Sequence, residues 1–260
     1  MSINGPKELA GMRAAGAVVC LMLSAMKSAV RPGITTAELD EVGAGVMRQH
    51  GARSAPALVY GFPGVNCISL NDEAVHGIPG RRELQQGDLV KLDVTIEKDG
   101  FMADAAVTVP VGKVTEERQK LVACAERAFA KAMLVARDGF RVLEIGRVIE
   151  REVRRSGFSV IRDLGGHGIG RTIHEEPRVP NYADPEANQV LTEGLVITVE
   201  PIIAAGSGRA FVAEDKWTVV TADHRPSAHY EHTLVITKGA PILLTAAWRL
   251  SHNRPYLSVY

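Results

Sequence analysis

Residues 33–51 read GITTAELDEVGAGVMRQHG, and residues 139–157 read GFRVLEIGRVIEREVRRSG. Overlaid with an offset of 106 (139 minus 33), Gly33 falls on Gly139, Ile34 on Phe140, Glu38 on Glu144, Leu39 on Ile145, Val42 on Val148, Met47 on Val153, Arg48 on Arg154 and Gly51 on Gly157. Apolar positions three and four apart mark one face of a helix, and a glycine is the usual residue just past a helix end. In the first copy Thr35 and Glu38 also form a capping box. Two copies are too short an array for a solenoid, which needs three or more units. The repeat therefore predicts one pseudo-symmetric α/β domain, its halves spanning about 6–112 and 114–238, with antiparallel sheets facing a shared cleft and helices outside.

Each repeat is preceded by another helical stretch. Residues 115 to about 137 carry apolar Leu121, Val122, Ala125, Phe129, Ala132 and Met133 at helical spacing, leading into a second helix over 142–155. Before the first copy, residues 14–26 (AAGAVVCLMLSAM) have the length and apolarity of a signal-peptide core but are too short to span a bilayer. Pro6 at a helix start, and continuation through Lys27, Ser28 and Arg31 to Pro32-Gly33, read instead as a buried helix covering the first half.

The 260 residues balance 30 Lys+Arg against 30 Asp+Glu, which gives no electrostatic reason to expect a nucleic-acid or anionic-membrane partner. Cys20, Cys67 and Cys124 are odd in number, widely spaced and outside any C-x-x-C, arguing against a disulfide scaffold or a thiolate zinc site and for a reducing compartment.

Chemistry concentrates in a few places. Residues 88–112 (DLVKLDVTIEKDGFMADAAVTVPVG) alternate as a β-hairpin. Taking Glu97-Lys98-Asp99-Gly100 as the loop pairs Ile96 with Phe101, Val94 with Ala103, Leu92 with Ala105 and Val90 with Val107. That register sets Asp93 directly opposite Asp104, a like-charge pair that a bound divalent cation would neutralise. Downstream, His167 stands among four glycines (GGHGIG, 165–170), followed by His174-Glu175-Glu176-Pro177, and this stretch reads as a shaped loop. Glu200 ends an apolar strand (195–199) and Glu231 opens another (233–236); carboxylates set in apolar strands are rarely buried without a partner. Two Asp, two Glu and a His make a hard, oxygen-rich set suited to a pair of divalent first-row metals.

Taken in order, V-H-G-I-P (75–79), D-V-T (93–95) with D-A-A (104–106), G-H-G-I-G (166–170), H-E-E-P (174–177), E-P (200–201) and Y-E-H-T (230–233) closely resemble type I methionine aminopeptidases in their short bacterial form. The resemblance covers nearly the whole chain and implies the pita-bread fold. It makes Asp93 a ligand of one metal, Asp104 and Glu231 the bridging carboxylates, and His167 with Glu200 the ligands of the second, the metals being Co, Mn, Fe or Zn. His76 and His174 match the family's non-ligand catalytic histidines, and Glu200 its proton acceptor. The positions matching a methionine pocket are Val59, Phe62, Cys67, His76, Ile173, His174 and Trp217; aromatics are expected in some relatives at the positions of Val59 and Ile173, which leaves the pocket's shape open. His229 and His232 match no catalytic role. Asn71 and Ser227 match positions that can hold a structural monovalent cation.

The resemblance implies a cytoplasmic, monomeric enzyme that takes the initiator methionine from nascent polypeptides, at or after the ribosome, when the second residue is small. Within enzymes the alternative is an Xaa-Pro aminopeptidase-like metallopeptidase, whose members usually carry an extra N-terminal domain, whereas this chain is expected to start directly at the catalytic fold. Outside enzymes it is an inactive pita-bread binding protein, which would have lost metal ligands where this chain keeps five of five. The catalytic domain is expected over 1–239, with a tail over 240–260 packed on it through Trp248, Tyr256 and Tyr260.

Overall fold

The computed structural model describes residues 1–246, so Trp248, Tyr256 and Tyr260 lie outside the described residues. In chain order the elements are α1 (Pro6–Ala29), α2 (Thr36–Gln49), β1 (Arg53–Ser54), α3 (Ala55–Tyr60), β2 (Cys67–Leu70), β3 (Glu73–Val75), β4 (Leu89–Lys98) and β5 (Phe101–Pro110). The second half follows with α4 (Glu116–Ala132), α5 (Val142–Arg155), β6 (Ser159–Val160), β7 (Gly165–Gly168), β8 (Glu175–Pro180), β9 (Val196–Val199) and β10 (Ile202–Ala204). It closes with β11 (Ala210–Val212), β12 (Val219–Thr221), β13 (Ser227–His229), β14 (His232–Val235) and β15 (Ile242–Leu243).

The repeat is present in the fold. α2 and α5 are both 14 residues long, and their starts differ by 106 (142 minus 36). The paired glycines adopt the left-handed conformation in both copies, with φ of 84° and 83° at Gly33 and Gly139 and 61° and 80° at Gly51 and Gly157. The Thr35–Glu38 capping box is formed on α2; α5 begins at Arg141 with no side-chain cap.

Each half has its own core. In the first, α1 and α2 lay Val19, Met22 and Leu39 against Ile68, Leu92, Val94 and Ile96 of the sheet built on β4. In the second, Leu121 and Phe129 of α4 and Ile145, Ile149 and Val153 of α5 pack with Ile197 and Leu234. α1 is long and apolar enough to cross a membrane, yet it is the cover of the first sheet, with Met12, Val18, Val19, Met22 and Met26 buried.

All strand pairs are antiparallel. β4 carries β5 on one edge and β2 and β1 in succession on the other, while β15, β14, β9, β7 and β8 form a five-stranded sheet in that order. The segment after Gly239 thus contributes an edge strand before the described residues end. Two further differences from the sequence reading are local. α4 stops at Ala132, short of 137. The short helix α3, absent from that reading, is capped by Ser54 Oγ, which accepts from the Ala57 N–H at 3.3 Å, and has a proline in its first turn.

Candidate metal centre and cleft

The hairpin register differs from the four-residue loop expected. Asp99 and Gly100, with φ of 51° and 81°, form the turn by themselves, so Lys98 faces Phe101. Two left-handed central residues give the turn whose twist matches that of the strands, and Asp-Gly suits it. Every pairing moves by two: Asp93 faces Ala106, and Asp104 faces Thr95. A shift of two keeps each side chain on its face. The two aspartates therefore still point into the cleft, as diagonal rather than direct neighbours.

The second half joins this row through its backbone. The Glu231 N–H donates to Ala106 O at 2.9 Å, and the Ala106 N–H donates to Glu231 O at 3.3 Å. One step along, the Asp104 N–H donates to Thr233 Oγ1 at 2.9 Å, and that hydroxyl donates to Asp104 O at 2.7 Å. Glu231 is thereby held beside the strand that carries Asp104.

His167 arrives from β7, a strand rather than the loop expected. Its flanking glycines have a packing reason: a Cβ on Gly166 would lie 2.4 Å from Thr198 O, and one on Gly168 2.2 Å from Glu176 O. Only glycine lets β7 sit this close between β9 and β8. Thr198 Oγ1 accepts from the His167 N–H at 3.1 Å and donates to Glu200 Oε1 at 3.1 Å, linking two predicted ligands. His167 Nε2 lies 3.6 Å from Glu200 Oε1. The structure adds His229, whose Nε2 is 3.4 Å from Glu231 Oε2 and 3.6 Å from Glu200 Oε2. The signal was its spacing, two residues before Glu231.

These groups cannot all be charged by themselves. Burial, with Glu231 and Asp93 nearby, pushes the Asp104 carboxyl well above its usual range; burial and Glu231 do the same to Glu200, and burial and Asp93 to Glu231. Burial and the neighbouring His174 pull His167 down to about 3, so it is a neutral imidazole. Asp104 Oδ1, Glu231 Oε1 and both ring nitrogens of His229 are buried with no hydrogen-bond partner. Asp104, His167 and Glu231 offer ligand atoms within 4.8 Å of one another, as do Glu200, His229 and Glu231. Buried carboxylates and neutral imidazoles with bare acceptor atoms fit divalent cations, which would supply the missing positive charge.

Around this cluster lies a cavity of about 230 Å³. Phe62, Cys67, His76, Ile173, His174 and Trp217 line it, as do all five predicted ligands. Phe62 and Trp217 meet edge to face, ring centroids 5.2 Å apart. Val59 is a correction: it is exposed on α3 and outside the lining, and Tyr60, the next residue round the helix, takes its place. The Tyr60 hydroxyl is 2.6 Å from His174 Nδ1. His76 has a left-handed backbone, φ 59°, unusual for a residue with a side chain. Protein packed around His76 and His174 lowers the pKa of both.

The Asn71–Ser227 position is a second correction. Its oxygens already bond an ammonium: Lys91 Nζ, on a fully buried side chain, donates to Asn71 O at 2.7 Å and Ser227 Oγ at 3.1 Å. Burial pulls Lys91 down to about 7, while Glu73 and Asp72 pull the other way. Asn71 and Ser227 are thus joined by a side chain of the protein.

A cleft between antiparallel sheets, backed by helices and floored by buried carboxylates and imidazoles, defines a metal-dependent hydrolase of pita-bread architecture. The model of metallopeptidase family M24 matches residues 10–238, and the chain belongs to that family. It is 44% identical over 247 residues to methionine aminopeptidase 2 of Bacillus subtilis (strain 168), covering 94% of this chain and 99% of that one. The methionine aminopeptidase structure from Thermotoga maritima is similar with a TM-score of 0.91 at 35% identity, over 94% of this chain and 99% of that chain. The prolidase of Pyrococcus horikoshii shares the fold, with a TM-score of 0.76 at 22% identity over 95% of this chain and 64% of its own.

Proposed function

We propose that this chain is a methionine aminopeptidase that removes the initiator methionine from nascent polypeptides in the cytoplasm when the second residue is Gly, Ala, Ser, Thr, Cys, Pro or Val. The observation that carries the reading is the cavity: an apolar wall of Phe62, Cys67, Ile173 and Trp217 runs directly into the acidic cluster. An unbranched thioether suits the first part, and a free α-ammonium suits the second.

Two divalent ions, of Co, Mn, Fe or Zn, would be held by Asp93, Asp104, His167, Glu200 and Glu231. Bound there, they would lower the pKa of a water and polarise the scissile carbonyl. The remaining work falls to the protein. Glu200, tied to Thr198 Oγ1, accepts the proton of the attacking water and passes it toward the departing amine. His174, steadied at Nδ1 by the Tyr60 hydroxyl, offers its other nitrogen to the oxygen on which negative charge develops. His76 approaches the scissile nitrogen. The enzyme acts as a monomer, and its partner is the polypeptide N-terminus itself, met at or near the ribosome.

A bulky second residue would push the carbonyl off its attack geometry, and a displacement of about 1 Å can cost on the order of 100-fold in rate. With metal added back after chelation, kcat/KM for Met-Ala-Ser should exceed that for Met-Lys-Ser and for Ala-Ala-Ser by about that factor. Equal rates on all three would make this a general aminopeptidase instead.

A further inference from the structure

Two histidines bracket Glu231, and their surroundings are opposite. His232 is satisfied on both sides, with Nδ1 2.9 Å from Thr245 Oγ1 and Nε2 3.2 Å from the Tyr230 hydroxyl. His229 is equally enclosed, 1% exposed, and neither of its ring nitrogens has a hydrogen-bond partner. Leaving one buried polar group bare costs roughly 1–3 kcal/mol, so an imidazole bare at both nitrogens needs a reason.

The backbone shows that its position is built. His229 pairs with Ile202 at the end of β13, its N–H donates to Thr108 Oγ1 at 2.8 Å, and its carbonyl accepts from that hydroxyl at 2.9 Å. The ring is thereby fixed between Glu200 and Glu231, with Nε2 3.6 Å and 3.4 Å from their oxygens. Two donor atoms that each sit about 2.1 Å from a common ion are separated by roughly 3 to 3.5 Å. The three side chains have the spacing of ligands around an ion rather than of a hydrogen-bonded chain.

We propose that His229 is a metal ligand, adding a second imidazole to Asp93, Asp104, His167, Glu200 and Glu231. The inference rests on the metal centre of the proposed function and goes beyond it. Two overlapping donor groups result: Asp104, His167 and Glu231 offer ligand atoms close together, as do Glu200, His229 and Glu231, with Glu231 in both. Imidazole suits zinc, iron, copper and nickel where an all-oxygen site suits magnesium or manganese, so the addition biases the centre toward the former.

X-ray absorption on the intact protein loaded with two equivalents of zinc tests this, because imidazole rings give outer-shell scattering that counts histidines per metal ion. The proposal expects an average of one histidine per zinc in the wild type and half in His229→Gln. Calorimetric titration of chelator-treated protein with Zn²⁺ should show one of two affinities lowered by at least about 10-fold in the variant, the order of loss seen when a supporting group of a metal site is removed. Half a histidine per zinc in the wild type, or unchanged affinities in His229→Gln, would overturn it while leaving the metal centre standing. A wild type that binds no zinc would overturn both readings. The wild-type count decides even if the variant does not fold.

Discussion

The two halves follow one plan and meet the cleft with different chemistry. To the ligand cluster the first supplies only carboxylates, Asp93 and Asp104, from one hairpin whose register a two-residue turn fixes. The second supplies imidazoles and carboxylates from separate segments: His167 on β7, Glu200 after β9, His229 on β13 and Glu231 just before β14. The contrast extends to buried charge. The first half buries a basic group, Lys91, against neutral oxygens. The second buries an anion, Glu152, against Arg127, Lys131 and Arg155. At offset 106, Glu152 stands where the first half has Val46, so the same helix face joins its neighbour through apolar contact in one half and through ions in the other. Duplication preserved the scaffold and left the residues free to specialise.

The largest effect should come from breaking the division of labour at the cleft. Asp104→Asn in the first half and Glu231→Gln in the second each remove an anion from the cluster. Both should lose metal and reduce kcat/KM by more than the roughly 100-fold that losing a supporting residue costs. Elemental analysis beside the peptide assay checks this, and a variant that keeps full metal and turnover would mean that one half suffices. Next, His174→Ala should lower kcat by roughly 100-fold with KM little changed and metal content intact. A raised KM at constant kcat would place His174 in substrate binding.

Glu152→Gln tests the ionic side of the comparison. Burial raises the Glu152 pKa, but Lys131 and Arg127 outweigh it, so the net shift is downward. A carboxyl depressed in the folded state stabilises above its unfolded value, and that contribution fades as pH falls through the folded pKa. The variant should lose about 2 kcal/mol near neutral pH, a buried-pair loss discounted for half-exposed partners. Urea titrations should show the gap closing below about pH 4.5, the ordinary value of the group. The smallest effect belongs to the helix starts: Thr35→Ala should cost about 1 kcal/mol. Arg141→Ala, at the matching uncapped position, should cost less by the same titration.

Much of this was legible in the sequence wherever the determinant is local. The capping box, the glycine stops and the alternation of 88–112 depend on near neighbours, and each appears in the fold. The four carboxylates and one histidine that line the cavity were legible as a set because a two-residue error of register changes which residues face one another without changing faces. Val59 and Tyr60 show the limit: on a short helix, one position decides which side chain enters the cavity. Lys91 was out of reach for another reason. An alternating strand presents Lys91 as a solvated residue, and only Ser227, 136 positions away, shows that it is enclosed.

The bond between Asp104 and Thr233 joins positions 129 apart, and the pairing of Ala106 with Glu231 spans almost as much chain. Contacts of such separation close a long loop before they return anything, which makes them late events in folding. During synthesis the hairpin emerges with its two aspartates long before the residues that complete the cluster. Competence to hold metal is therefore acquired at the end of folding, when the halves dock, and a chain that has formed only its first half has no centre to load.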